Sequence, residues 1–128
     1  MIIDSSALVA ILHDEAEAAA FVRVMEQATT LKMSTCTALE VYLVERPGRA
    51  DRLDDFLAGA QIELVAFDVE QLRLARSAHV RFGRGCGHPA KLNFGDCFSY
   101  ALAKTTGEPL LFKGDDFTHT DVQAVLSG

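Results

Sequence analysis

Acidic residues at four places in the sequence carry the chemistry that this chain could perform. Asp4 directly follows the first apolar segment, and Glu40 and Asp96 each lie in the first turn of a predicted helix. Asp115 and Asp116 follow the last clear apolar segment. In a parallel α/β sheet, strand ends and helix starts meet at one edge, so we expect these carboxylates to converge although they are far apart in the sequence.

Each acid also has a structural explanation when it is considered alone. Thr37 and Glu40 have the spacing of a capping box, and the helix dipole favours an acid at Asp96. Asp115 and Asp116 have ordinary turn composition. Asp4 is the hardest to explain in this way, because a carboxylate next to a buried strand needs a partner.

Considered together, the acids indicate a metal site. Clustered carboxylates repel one another, and Lys113 could neutralise only one of them. Oxygen ligands without His or Cys favour Mg²⁺ or Mn²⁺ over Zn²⁺, and Mg²⁺ commonly acts together with a substrate phosphate. The pattern therefore favours phosphoryl transfer or phosphodiester hydrolysis.

The elements that must position these acids alternate between strand and helix. Strands are predicted at 1–3, 31–35, 62–67 and 109–112, and helices at 5–12, 14–28, 37–46, 49–59, 69–82 and 94–106. Ser5 or Ser6 is predicted to cap the first helix, and Leu72, Ala75, Ala78 and His79 are predicted to lie on one stripe of the fifth helix. We expect an α/β fold in which helices cover both faces of a mostly parallel sheet of four or five strands.

Composition predicts one domain, spanning residues 1–128. The chain has 128 residues, 49% of them hydrophobic, and a net charge of 12 − 18 = −6. No apolar run approaches the roughly 20 residues of a membrane span, and an early acid without basic residues does not suit a signal peptide. Three cysteines without a C-x-x-C pair indicate neither disulfides nor zinc, and we expect Cys36 and Cys97 to be buried. The expected location is the cytoplasm.

A basic stripe interrupts the acidic chain. No carboxylate lies between Glu70 and Asp96, and this stretch carries five basic residues, Arg73, Arg76, Arg81, Arg84 and Lys91. The stripe could bind the phosphates of a nucleic acid. A solvated helix face followed by a glycine-rich loop explains the same residues, and the sequence alone leaves both interpretations open.

Three segments in order resemble the PIN-domain nucleases, and most closely the VapC toxins of toxin–antitoxin pairs. They are residues 1–11 (MIIDSSALVAI), Glu40 and residues 92–103 (LNFGDCFSYALA). The segment 109–121 (PLLFKGDDFTHTD) is similar to the ending of the same subfamily. The resemblance covers essentially the whole chain. It implies a central parallel sheet flanked by helices and a Mg²⁺-dependent endoribonuclease in which metal-activated water hydrolyses RNA phosphodiesters.

The resemblance also implies roles for individual residues. Asp4 and Asp96 would be the metal ligands, and Glu40 would complete the pocket. Asp116 is the first choice for the fourth acid, with Asp115 as the alternative, because Gly114 stands where many family members have an acid. Ser6 matches the small hydroxyl residue that commonly follows the first aspartate.

The implied partners are RNA, a VapB-type antitoxin and a second copy of the chain in a homodimer. The helix with Leu53, Phe56 and Leu57 could supply the antitoxin surface, but these side chains could equally belong to the core. Two other functions stay open at this stage. One is a PIN-fold binding module with weak or no catalysis, and the other is a domain that accepts a phosphoryl group on Asp4.

Overall fold

Four parallel strands form the central sheet of the protein. A computed structural model describes residues 1–126, with strands β1 (Ile2–Ile3), β2 (Leu31–Ser34), β3 (Ile62–Val65) and β4 (Leu110–Leu111). The strand order is β3-β2-β1-β4, and every pairing is parallel. The fold class predicted from the sequence is confirmed.

The order of the strands makes a crevice beside β1. The chain adds β2 and then β3 on one side of β1, and it returns at the end to place β4 on the other side. Ile2 is in register with Lys32 of β2 and with Leu110 of β4. Such a reversal of strand order is where ligands bind in open α/β sheets, beyond the carboxyl ends of the strands. Asp4 follows β1 at this point.

Within residues 1–126, six helices cover the two faces of the sheet. They are α1 (Ser5–Leu12), α2 (Ala18–Gln27), α3 (Thr35–Val44), α4 (Ala50–Gly59), α5 (Val69–Phe82) and α6 (Phe94–Thr106), with a 3₁₀ turn at Pro47–Arg49. One core packs α1 to α4 against the sheet through Ile3, Met33 and Leu111. The other packs α5 and α6 against it through Ile2 and Leu110. Neighbouring residues of each strand thus face opposite cores, as the pleat of a strand requires.

The cap of α1 and the start of α2 differ from the prediction. The α1 helix is capped by Asp4, and neither Ser5 nor Ser6 is its cap. The α2 helix begins at Ala18 and not at residue 14, because Asp14 adopts a left-handed conformation with a φ of 51°. The backbone N–H of Glu15 then donates to the carbonyl of Ala10, so residues 13–17 form a turn between the two helices.

The burial of side chains on α4 and α5 tests two interpretations made from the sequence. Leu53 and Leu57 of α4 are buried and Phe56 is half-buried, so this trio belongs to the core. The predicted stripe of α5 is only partly buried. Ala75 and Ala78 are buried, but Gln71 and Phe82 complete the buried face, while Leu72 and His79 are exposed.

Cys97 is buried as predicted, whereas Cys36 is only half-buried. Within residues 1–126, no helix combines the length and the apolar character that crossing a bilayer requires.

Candidate active site

Asp4 is the centre of the candidate site and is held by three donors. It caps α1, and its Oδ2 atom accepts from the backbone N–H of Ser6 at 3.0 Å and from the Ser6 hydroxyl at 2.6 Å. Its Oδ1 atom accepts from the hydroxyl of Ser99 in α6 at 2.5 Å. Only 2% of Asp4 is exposed. The carboxylate is therefore fixed at the carboxyl end of β1 and contacts the helix that carries Asp96.

Asp96 lies in the first turn of α6 as part of a capping box. Its Oδ2 atom accepts from the backbone N–H of Asn93 at 3.0 Å, and its own N–H donates to Asn93 Oδ1 at 2.9 Å. Burial raises the pKa of Asp96 to about 8, although the Asn93 hydrogen bond works in the opposite direction. The nearby carboxyls of Asp4 and Asp116 raise it further, so these three acids are neighbours.

Glu40 approaches the same cluster from α3. Its Oε1 atom is buried without a hydrogen-bond partner. Burial raises the pKa of Glu40; the nearby Ser5 partly offsets this, and the charge of Asp4 adds to it. A Cβ atom at Gly95 would lie 2.1 Å from Glu40 Oε2, so a larger residue at this position would have to displace the Glu40 carboxylate.

The predicted capping role of Glu40 is wrong. The cap of α3 is Ser34, whose hydroxyl accepts from the N–H of Cys36 at 3.2 Å, and the helix begins two residues before Thr37. Thr37 is fully buried, and its hydroxyl contacts Ser99. Glu40 therefore does not serve as a capping residue of α3, and its carboxylate is directed to the acidic cluster.

The loop after β4 supplies the fourth acid. Asp116 is half-buried and contacts Asp96, whereas Asp115 is exposed. Gly114 before them has a φ of 96°, a left-handed conformation that favours glycine. Asp116, the first choice from the sequence, is thus a neighbour of Asp96.

No basic side chain neutralises this cluster within the part of the chain that the structure describes. The salt bridges of residues 1–126 leave out Asp4, Glu40, Asp96 and Asp116. Lys113, which could have served, instead contacts two acids of the turn before α2, Glu15 at 2.7 Å and Glu17 at 3.0 Å. Only its backbone N–H reaches the cluster, donating to the Ser6 hydroxyl at 2.9 Å.

The residues present fit a hard divalent cation. The donor set is made of carboxylate and hydroxyl oxygens, one of them an orphaned buried oxygen of Glu40. Among residues 1–126, no three His, Cys, Asp or Glu side chains already stand where they could hold a metal ion together. Mg²⁺ does not need three such side chains, because it keeps several waters and binds through one or two carboxylates plus a substrate phosphate.

The five basic residues differ in their surroundings. Arg73 contacts Glu70 at 3.4 Å, and Arg81 lies 3.8 Å from Asp121 and stacks on the Phe82 ring. Lys91 is exposed in the loop before α6. Arg76 and Arg84, by contrast, line a groove of about 830 Å³ next to the first turn of α6, together with Phe67, Leu72, Phe94 and Phe98.

Ser99 and Gly95 are the site residues that sequence reasoning missed. Ser99 follows Asp96 by three residues and so shares its face of α6, a spacing that could have drawn attention to it. Gly95 gave no such signal, because its role depends on the approach of a helix more than 50 residues away in the chain.

The PIN-domain family profile matches residues 1–123. The chain belongs to the PIN-domain family. Within this family it is 48% identical over 130 residues to the ribonuclease VapC30 of Mycobacterium tuberculosis, covering 98% of each chain. It is therefore a PIN-domain protein of the VapC ribonuclease group. This membership removes the reason to consider a domain that accepts a phosphoryl group.

Two solved structures share the PIN fold of this chain. The Mycobacterium tuberculosis toxin VapC20, described as cleaving the sarcin–ricin loop, superposes with a TM-score of 0.77 at 14% identity over 98% of both chains. VapBC2 of Rickettsia felis, bound to a DNA fragment from its promoter, superposes with a TM-score of 0.74 at 13% identity over 96% of this chain and 94% of the other.

Proposed function

We propose that this VapC-type PIN domain hydrolyses RNA phosphodiester bonds as a toxin, using Mg²⁺ or Mn²⁺ held by Asp4 and Asp96. Glu40 and Asp116 complete the pocket, and Ser6 orients Asp4. Asp115 is exposed and is the weaker choice for the fourth acid. Membership of the VapC ribonucleases supports the reaction class, and the positions of the acids support the assignment of roles.

The observation that carries the proposal is the cluster of acids without a counter-charge. Asp4 and Asp96 are nearly buried, and the pKa of Asp96 is raised to about 8. A protein maintains such a cluster at a cost in stability, and bound cations are the usual reason. Structural acids would instead be paired with Lys or Arg, as Glu108 is with Lys32 at 2.6 Å.

A divalent cation supplies charge neutralisation for the scissile phosphate and activation of water when it is bound at such a site. The chain's own residues would hold the cation and keep its carboxylate ligands in a fixed orientation. Three hydrogen bonds fix Asp4, and the capping box fixes Asp96. Glu40 presents an unpartnered oxygen that could accept a proton from water. A nucleophilic side chain is not needed, and we expect products with a 5′ phosphate and a 3′ hydroxyl.

The RNA backbone is proposed to approach along the groove beside α6. Arg76 and Arg84 line this groove, and Asn93 links it to the capping box of Asp96. Phosphate contacts of this kind position a substrate without specifying its sequence. Arg73, Arg81 and Lys91 lie outside the groove lining and are expected to contribute less.

A VapB-type antitoxin and a second copy of the chain are the proposed protein partners. VapBC2 is a complex of this kind with the same fold, which supports the antitoxin. The α3 helix exposes Leu39, Leu43 and Val44, at 58%, 77% and 56%, and apolar surface of this kind commonly marks an interface. Light scattering of the chain with and without a co-expressed VapB-type antitoxin would give the stoichiometry of the complex and the oligomeric state of the chain alone.

The proposed function is tested by RNA cleavage with matched aspartate variants. The purified chain is expected to cleave RNA with Mg²⁺ or Mn²⁺ and to stop in excess chelator. Asp96→Asn is expected to lower the rate at least 100-fold, whereas Asp115→Asn, a change at an exposed acid, is expected to leave it within about twofold. Mapping of the new 5′ ends would confirm the expected 5′ phosphate. If Asp96→Asn cleaves as fast as the parent, the site is misplaced. If no RNA is cleaved by the parent under any metal condition, the binding-module alternative is correct.

A further inference from the structure

Two buried hydroxyl groups connect the elements that carry Asp4, Asp96 and Glu40. Ser99 of α6 and Thr37 of α3 are both 0% exposed. The Ser99 Oγ atom lies 2.5 Å from Asp4 Oδ1, and Thr37 Oγ1 lies 3.3 Å from Ser99 Oγ. The Asp4 carboxylate is thus joined to α6, which carries Asp96, and through it to α3, which carries Glu40.

Counting protons gives the direction of these hydrogen bonds. An ionised carboxylate can only accept, so Ser99 donates its single hydroxyl proton to Asp4. The Ser99 oxygen then has lone pairs left but no proton for Thr37. Thr37 must therefore donate to Ser99, and the chain of bonds runs from Thr37 through Ser99 to Asp4. Each bond in such a chain polarises the next, and a low-dielectric interior strengthens both.

The same counting identifies the free coordination position on Asp4. Each carboxylate oxygen accepts about two hydrogen bonds. The N–H and the hydroxyl of Ser6 fill both positions on Oδ2. Ser99 fills one position on Oδ1, which leaves one lone pair there for a cation.

We infer that Ser99, supported by Thr37, is a positioning residue that fixes the Asp4 carboxylate so that its one free Oδ1 position serves the cation. The inference rests on the proposed function, because it assumes that Asp4 is a metal ligand. Partners that orient a ligating carboxylate commonly change metal affinity 10- to 100-fold when they are removed. A bond that merely holds α6 against β1 would change stability and leave the affinity of the folded protein unaltered.

Three variants of the full chain separate these two roles. Ser99→Ala removes the donor to Asp4. Thr37→Val removes only the supporting hydroxyl at nearly constant volume, and Thr37→Ser is the matched control that keeps this hydroxyl. Mn²⁺ alone is titrated into each protein in the absence of RNA, with free Mn²⁺ followed by its paramagnetic resonance signal. The kcat and KM for cleavage of one RNA are then measured at saturating metal and at low metal.

Ser99→Ala is expected to weaken Mn²⁺ binding about 10- to 100-fold and to lower kcat at low metal, with KM for RNA within about twofold of the parent. Thr37→Val is expected to shift both quantities in the same direction by about three- to tenfold. Thr37→Ser is expected to restore them to near the parent values. If Ser99→Ala fails to fold, the comparison of Thr37→Val with Thr37→Ser decides.

Unchanged Mn²⁺ affinity in folded Ser99→Ala would overturn the inference, as would equal affinities for Thr37→Val and Thr37→Ser. Such results would leave the proposed function intact as long as the parent chain binds Mn²⁺ and cleaves RNA. A parent chain that neither binds Mn²⁺ nor cleaves RNA with metal would overturn the proposed function itself, and the positioning role with it.

Discussion

Replacement of Asp96 by asparagine should stabilise the protein when no metal is bound, and the gain should depend on pH. Burial first, and then Asp4 and Asp116, raise the pKa of the Asp96 carboxyl from 3.8 to about 8. The folded chain therefore retains a proton that the unfolded chain releases above pH ~4. This carboxyl stabilises the fold at low pH, and the contribution is lost as the pH rises to about 8. Asparagine does not titrate and can still accept from the N–H of Asn93.

The size of this effect follows from the shift. About four pKa units at ~1.4 kcal/mol each give an upper value of about 6 kcal/mol, and entry of water into a partly open site reduces it substantially. We expect the advantage of Asp96→Asn in the free energy of unfolding to grow by about 2–3 kcal/mol between pH 5 and pH 8. For a chain of this length the difference corresponds to roughly 8–12 °C in Tm.

Urea denaturation in excess chelator at several pH values would measure this difference. Asp115→Asn is the control, because its exposed carboxyl should change stability by less than about 0.5 kcal/mol at every pH. A gain for Asp96→Asn that stays constant from pH 5 to pH 8 would refute the reasoning. A loss of stability at every pH would show that the carboxylate serves mainly as a helix cap.

Three further predictions concern the metal, the glycine at the site and the groove. Addition of Mg²⁺ or Mn²⁺ at about 100 times Kd to the parent chain, after its metal has been removed with chelator, should stabilise the fold by ~2.7 kcal/mol, measured as a rise in Tm. If Tm does not rise, the chain has no cation site. Gly95→Ala should cost about 1–3 kcal/mol of stability and lower cleavage at least tenfold, because its Cβ would lie 2.1 Å from Glu40 Oε2. Gly48→Ala, which has open space around the new Cβ, is the control and should lower neither stability nor RNA cleavage in the same assays. Arg76→Ala with Arg84→Ala should raise the KM for RNA and flatten its dependence on salt, and an unchanged salt slope would place the RNA elsewhere.

The fold was predictable because its signals are local. Alternating apolar segments and helical periods located the four strands and six helices, and the parallel order followed from that alternation. Errors occurred where a distant contact decided a local choice. The acids at Glu15 and Glu17 suggested an early start for α2, but Lys113 binds them from the far end of the chain, and the segment forms a turn.

The candidate site was predictable in its acids and not in their supports. Asp4, Glu40, Asp96 and Asp116 could be found from residue type, from their place after strands and from the resemblance to a family. The cap of α3 was misassigned because Ser34 and Thr37 offer equally good hydroxyls, and only the fold directs Thr37 to Ser99. Ser99 and Gly95 act through atoms that other elements bring within contact distance, which no local pattern encodes.

Asp4 and Asp96 both take part in helix capping as well as in the acidic site. The substitution that makes an inactive version of this toxin for crystallisation or antibody work should therefore preserve the capping hydrogen bonds. An amide at position 4 would have to turn an NH₂ group towards a donor on one side, either Ser99 or Ser6, so Asp4→Asn would leave two donors facing each other. An amide at position 96 keeps its oxygen on Asn93 and offers its NH₂ to the neighbouring acids. Asp96→Asn is therefore the silenced protein that should keep the native shape, whereas an alanine at either position would remove a cap as well as a charge.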